Sequence, residues 1–272
     1  MKITLNLFEL VAWGSFNLFQ SLNGVNLVAF VFSLIAGGVV GVLINYFSDV
    51  LPISRRISRP LCSVCSQPYS ISDYLVSFKC SKCGSKKSIR SNIVFIGAIL
   101  ICILLNFFPF YTLGFWATLP ILIFLGVIMV IDIEHHIVLF ETSLFGMGLF
   151  LIYGILLTGL PSTLLGALAG FLIMLAFFIL GLVFSKIMGY LRHQQINEVA
   201  FGFGDVLAGT FLGLLAGWPA IAGAIFIAIL TFGAYSFVLL SWLLLSKRYK
   251  AFSSAQPFIP FLIIGVITIF YL

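Results

Sequence analysis

Charge is scarce in this chain: Asp, Glu, Lys and Arg make up 8% of its 272 residues, against roughly 25% in soluble domains. With 62% hydrophobic residues and a mean hydropathy of +1.22, too little polar surface is left to cover a water-soluble globule. A basic start and a small-residue cleavage site are both missing from the first 23 residues, so no secretory signal peptide is read there. No repeat of fixed period is present, which weakens a transporter built from inverted repeats. Acids are few as well. There are eight, so each can be weighed in turn.

What the chain has instead is apolar length. Runs able to cross a hydrocarbon core of about 30 Å, roughly 20 helical residues each, recur from residue 25 onward. They predict an all-α polytopic membrane protein of about eight spans, near 25–48, 92–111, 114–131, 140–160, 162–185, 203–216, 217–245 and 256–272. The first 24 residues mix Phe8, Leu10, Val11, Trp13 and Phe16 with polar residues and read as an interfacial helix. Gly37, Gly38, Gly41, Gly166, Ala169 and Gly170 read as small residues that let helices approach.

Eight of the fourteen basic residues, Arg55 to Arg90, lie between the first two spans. The positive-inside rule makes that loop cytoplasmic. Alternation then puts Lys186, Arg192, Lys247, Arg248 and Lys250 on the same side and leaves Lys2 outside. The rival reading of the loop is a nucleic-acid patch. Basic juxtamembrane loops are commonplace, so lipid and not nucleic acid is the expected partner. The chain divides into 1–52, an interfacial segment and first span; 53–91, a cytoplasmic ribbon loop; and 92–272, the main membrane domain.

Within the loop stand two Cys-x-x-Cys pairs, Cys62 and Cys65 with Cys80 and Cys83, fourteen residues between them. Four thiolates at this spacing suit tetrahedral Zn²⁺, each pair making a knuckle. Such a site has no open coordination position, so the metal is expected to be structural. Disulfides are the alternative in an oxidising compartment, and an iron–sulfur cluster is another. Cys102, alone in a span, reads as a small core hydrophobe.

Among the acids, Glu9, Asp73 and Glu198 read as solvated, and Asp49 as a local polar contact or part of a site. Asp132, Glu134 and Glu141 cluster where the third span ends and the fourth begins, and Asp205 opens the sixth. Topology fixed by Lys and Arg puts Asp132 and Asp205 at matched depth on one side. Carboxylates near a membrane are costly and are functional candidates by default. If the two meet, they share a proton: the ionised member can take a proton from water while the neutral one donates to a carbonyl oxygen. Gly202 and Gly204 leave room for a substrate backbone beside Asp205. A metal site at Asp132-Ile-Glu-His-His136 is the rival, but adjacent His135 and His136 do not share a helix face. A proton relay in a transporter, or a silent scaffold, are the other classes.

Taken together these segments make the chain resemble the type IV prepilin peptidases, a bacterial family of polytopic GxGD aspartyl proteases. The likeness rests on GVLINYFSDVLP (41–52), the two Cys-x-x-Cys pairs, VIDIEHHIV (130–138), AFGFGDVLAGTFLGLLAGWP (200–219) and QPFIPFLIIG (256–265). It implies Asp132 and Asp205 as catalytic acids. It also implies prepilin or pseudopilin precursors as substrates, cut at the cytoplasmic face of the inner membrane, typically after a Gly and before a Phe. Many members also N-methylate the new terminus with S-adenosylmethionine, through regions that include the N-terminal motif and the cysteine loop. Asn45, Gly202, Gly204 and Glu134 are the further substrate- or cofactor-binding candidates. The chain departs from the family in having Val42 and Val50 where Ser and Arg are usual, Val138-Leu139-Phe140-Glu141 after the first acid, and no Lys after Asp205. The first two changes bear on methylation more than on proteolysis.

Overall fold

The computed structural model describes residues 27–62, 64–70, 73–74, 79–109, 113–192, 202–246 and 256–271. The interfacial segment, Glu198, Lys247, Arg248 and Lys250 lie outside them. Eight helices follow in order: α1 (Leu27–Ser54), α2 (Ile89–Phe107), α3 (Gly114–His135), α4 (Phe140–Thr158), α5 (Leu160–Arg192), α6 (Phe203–Ala216), α7 (Ala220–Leu245) and α8 (Ile259–Tyr271). Six are long and apolar enough to cross a membrane. The other two, α6 and α8, rise only about 20 Å. Helices suit this composition because lipid supplies no partner for backbone N–H and C=O groups. Hydroxyls obey the same constraint, Ser33, Thr210 and Thr268 each donating to the carbonyl four residues back.

The expected spans and the helices agree in order, with the ends of α1 and α5 running further than the apolar runs, to Ser54 and Arg192. Hydropathy marks the part of a helix that lipid accepts, whereas the backbone ladder continues into polar residues.

Two compact units divide the described residues. One holds those up to Asn45 together with Cys62–Leu119. Here Gly37 and Gly41 bring α1 onto α2: a Cβ at Gly37 would stand 2.6 Å from the Ile99 Cα, and one at Gly41 3.0 Å from the Phe95 Cα. Asn45, buried, donates from its amide to the Ser91 carbonyl at 3.0 Å.

The second unit holds Tyr46–Leu61 and Pro120–Leu272. Its centre is α6, which packs on α4, α5, α7 and α8. Glycine makes the closest of these approaches possible: Gly166 faces the Gly213 carbonyl and Gly170 the Gly209 carbonyl, with no space for a side chain on either helix. Phe124 of α3, Phe150 of α4 and Phe211 of α6 form a ring cluster with centroids 5.1 to 5.9 Å apart. At one end α6 stops on left-handed Gly217 (φ 71°), and Ser162 and Trp218 exchange hydrogen bonds that tie the α4–α5 turn to the α6–α7 turn.

At the other end four helix termini share a level. Val138, in the α3–α4 turn, lies against Gly204 at the start of α6, and the Ile259 N–H at the start of α8 reaches Asp132 near the end of α3. Two helices pass this level. Phe178 of α5 meets Phe203, and α5 continues to Arg192; Phe232 of α7 meets Phe258 and Phe261, and α7 continues to Leu245. Each runs on for roughly 20 Å.

Candidate active site

Asp132 sits three residues before the end of α3 and is 5% exposed. Burying a carboxylate demands a hydrogen-bond partner. The Ile259 N–H supplies one, donating to Oδ2 at 3.1 Å across 127 residues of sequence. Sequence reasoning missed Ile259, and the available signal was Pro257 and Pro260 bracketing the start of the last apolar run.

Asp205 is half-buried at the third position of α6. Its Oδ2 accepts the Gly202 N–H at 2.9 Å while its own N–H donates to the Gly202 carbonyl at 3.1 Å. This is the returning half of a capping box, with glycine where a Ser or Thr would complete it. The glycines differ in use. Among the described residues, a Cβ at Gly202 would find its nearest atoms at 3.8 Å or more, one being Asp205 Oδ2. At Gly204 a Cβ would lie 2.6 Å from Val138 Cγ2, so that space belongs to the α3–α4 turn.

In each of the two acids one oxygen is tied to an amide at a helix N-terminus. Glu134, directly before His135 in the last turn of α3, is exposed, and Glu141 pairs with Arg55 at 3.9 Å, both exposed. His136 (φ 52°) ends α3, its N–H donating to the Asp132 carbonyl at 3.0 Å. Asn45 belongs to the other unit, in the contact with Ser91 given above.

That other unit also carries the cysteine ribbon, built from two matching knuckles. Cys62 and Cys80 donate their N–H groups to the Gln67 and Ser85 carbonyls, both at 2.9 Å; Ser66 and Gly84 return theirs to Cys62 and Cys80, both at 2.8 Å. Each knuckle turns on a left-handed residue, Ser66 (φ 55°) or Gly84 (φ 68°). Cys62 Sγ lies 3.6 Å from Cys83 Sγ, and Cys65 Sγ 3.7 Å from Cys80 Sγ. All four sulfurs fall within 4.8 Å of one another. A tetrahedron with Zn–S bonds of about 2.3 Å has edges of about 3.8 Å, so the set fits a metal such as zinc. It does not fit disulfides, which need about 2.05 Å. The Ser85 hydroxyl stands 3.3 Å from Cys62 Sγ and 3.0 Å from Cys83 Sγ. That hydroxyl, with backbone N–H groups, holds both thiols below their ordinary range, Cys62 at about 5.

Compared with known proteins, residues 119–237 match the type IV leader peptidase family. The matched stretch contains Asp132 and Asp205 and stops short of the ribbon and of Ile259. No curated protein and no solved structure matched the chain.

Proposed function

We propose that this chain, whose residues 119–237 match the type IV leader peptidase family, removes the leader from prepilin-like precursors with Asp132 and Asp205 as its two acids. The carrying observation is the family match over a stretch that contains both acids, which stand on different helices with each held by a helix N-terminal amide. A water between them loses a proton to the ionised carboxylate as it attacks the scissile carbonyl carbon. The neutral carboxylate gives its proton to the carbonyl oxygen; as the tetrahedral diol collapses the C–N bond breaks, the acid that took the water's proton gives it to the departing nitrogen and the other recovers its own from the diol, leaving a new carboxyl on the leader and a free amine on the mature protein. Among the described residues, none lies closer than 3.8 Å to the place of a Gly202 side chain, which would suit the approach of an extended backbone.

We assign the acids to the cytoplasmic side of the bacterial inner membrane, on the distribution of basic residues. The ribbon's metal, read as Zn²⁺ on Cys62, Cys65, Cys80 and Cys83, closes the loop and supplies no reactive position. Methyl transfer from S-adenosylmethionine to the new terminus is the further activity we attach to the chain, with Asn45 in its region. Mass spectrometry of processed pilin tests it: an unmethylated amine in the presence of S-adenosylmethionine leaves a peptidase alone.

Leader cleavage by the wild type, Asp132→Asn and Asp205→Asn tests the peptidase. Each substitution is expected to lower kcat at least 1000-fold, since neither acid can do both proton transfers. Full activity in either variant removes the two-acid mechanism.

A further inference from the structure

We infer that the backbone N–H of Ile259 is a positioning group for Asp132, which makes the entry to α8, Pro257-Phe258-Ile259-Pro260, part of the active site. The inference rests on the peptidase reading above and extends it to a segment outside the matched family stretch.

The first turn of a helix has N–H groups without intrahelical acceptors. In α8 these are disposed of one by one. Pro260 has none to give, and Phe261 and Leu262 both donate to the Phe258 carbonyl, at 3.0 and 3.2 Å. Ile259 is left as the donor directed away from the helix, and Asp132 Oδ2 receives it. The positive end of the α8 dipole points the same way and favours a negative charge there. Phe258 fixes the turn from the other side: it is buried, and its ring stands edge-on to Phe232 of α7 at 5.4 Å. A buried carboxylate held at one oxygen by a donor that cannot rotate presents its other oxygen in a single direction. That is the pre-organisation a water-activating acid needs, because misplacement by about 1 Å can cost about 100-fold in rate.

The test separates the N–H from the side chain. Ile259→Val keeps the donor and trims one methylene; Ile259→Pro has nearly the volume of the Val variant, suits a first helical position and lacks the N–H. Leader cleavage, thermal unfolding in detergent and the Asp132→Asn variant are measured together. Ile259→Val is expected to stay within about threefold of wild type. Ile259→Pro is expected to lose about 10- to 100-fold in kcat, the range for a hydrogen bond to a charged group, with KM unchanged and a cooperative thermal transition kept at a lower melting temperature, since a buried carboxylate loses its donor. A backbone ester at the 258–259 linkage, which removes the N–H, keeps the Ile side chain and weakens the Phe258 carbonyl as an acceptor, should repeat the Pro result, and it decides the matter where the Pro variant fails to fold. Wild-type kcat in the folded Pro or ester variant, alongside inactive Asp132→Asn, overturns the positioning role alone. An active Asp132→Asn overturns the peptidase mechanism instead.

Discussion

Asp205 accepts the Gly202 N–H at 2.9 Å, so truncating it removes a helix cap together with an acid. An amide at that position can still accept the bond. Asp205→Asn and Asp205→Ala are therefore both expected to be inactive, but only the Ala variant should also lose stability, by about 0.5 to 2 kcal/mol. Equal melting temperatures for the two would show that the cap contributes nothing. Beside it, Gly204 is glycine because Val138 occupies the place of its side chain. Gly204→Ala is expected to cost about 1 to 3 kcal/mol through overpacking. Adding Val138→Gly, which removes both Cγ2 and the Cβ at 2.8 Å, should recover part of that loss, a non-additivity that a double-mutant cycle measures. Gly202 has no such neighbour among the described residues, so its substitution should act on substrate more than on stability.

The ribbon shows how a short element encodes its own geometry. Both knuckles repeat the same two hydrogen bonds and the same left-handed turn, because Cys-x-x-Cys fixes the spacing of sulfurs and backbone alike. The Ser85 hydroxyl lowers Cys62 and Cys83, and protons compete with metal for these sulfurs. For Cys62, lowered from 9.0 to about 5, the stabilisation is complete above pH 9 and is lost as pH falls through about 5. Ser85→Ala returns the thiols toward their ordinary range. The midpoint of metal release on acidification should accordingly move to higher pH, as read with a chromophoric zinc indicator. An unmoved midpoint would show that backbone N–H groups alone set the thiolates.

At the scale of the whole molecule, Asp132 and Asp205 lie at a level that α5 and α7 overshoot by roughly 20 Å. The overshooting stretches carry exposed Leu180, Phe184, Phe237 and Trp242, surface that only lipid solvates well. The acids are thus expected to lie beneath the bilayer surface. Spin labels read by oxygen and nickel-chelate collisions test this: one at Phe140, level with the acids and exposed, should sit about 10 Å or more deeper than one at Leu245. Equal depths would mean that α5 and α7 tilt to the surface instead. Much of this protein was readable in order of residues. Transfer to lipid is a local property, so the apolar runs gave the helices and their sequence; knuckle geometry is local too, so the cysteines gave a four-sulfur set that could hold a metal; and the scarcity of acids left Asp132 and Asp205 in view. Tertiary structure decided what depends on distant backbone: which amide holds Asp132, which side chain fills the space at Gly204, and how far the acids lie below the longer helices. Those follow from packing shape and from where each helix starts, which no window of sequence contains.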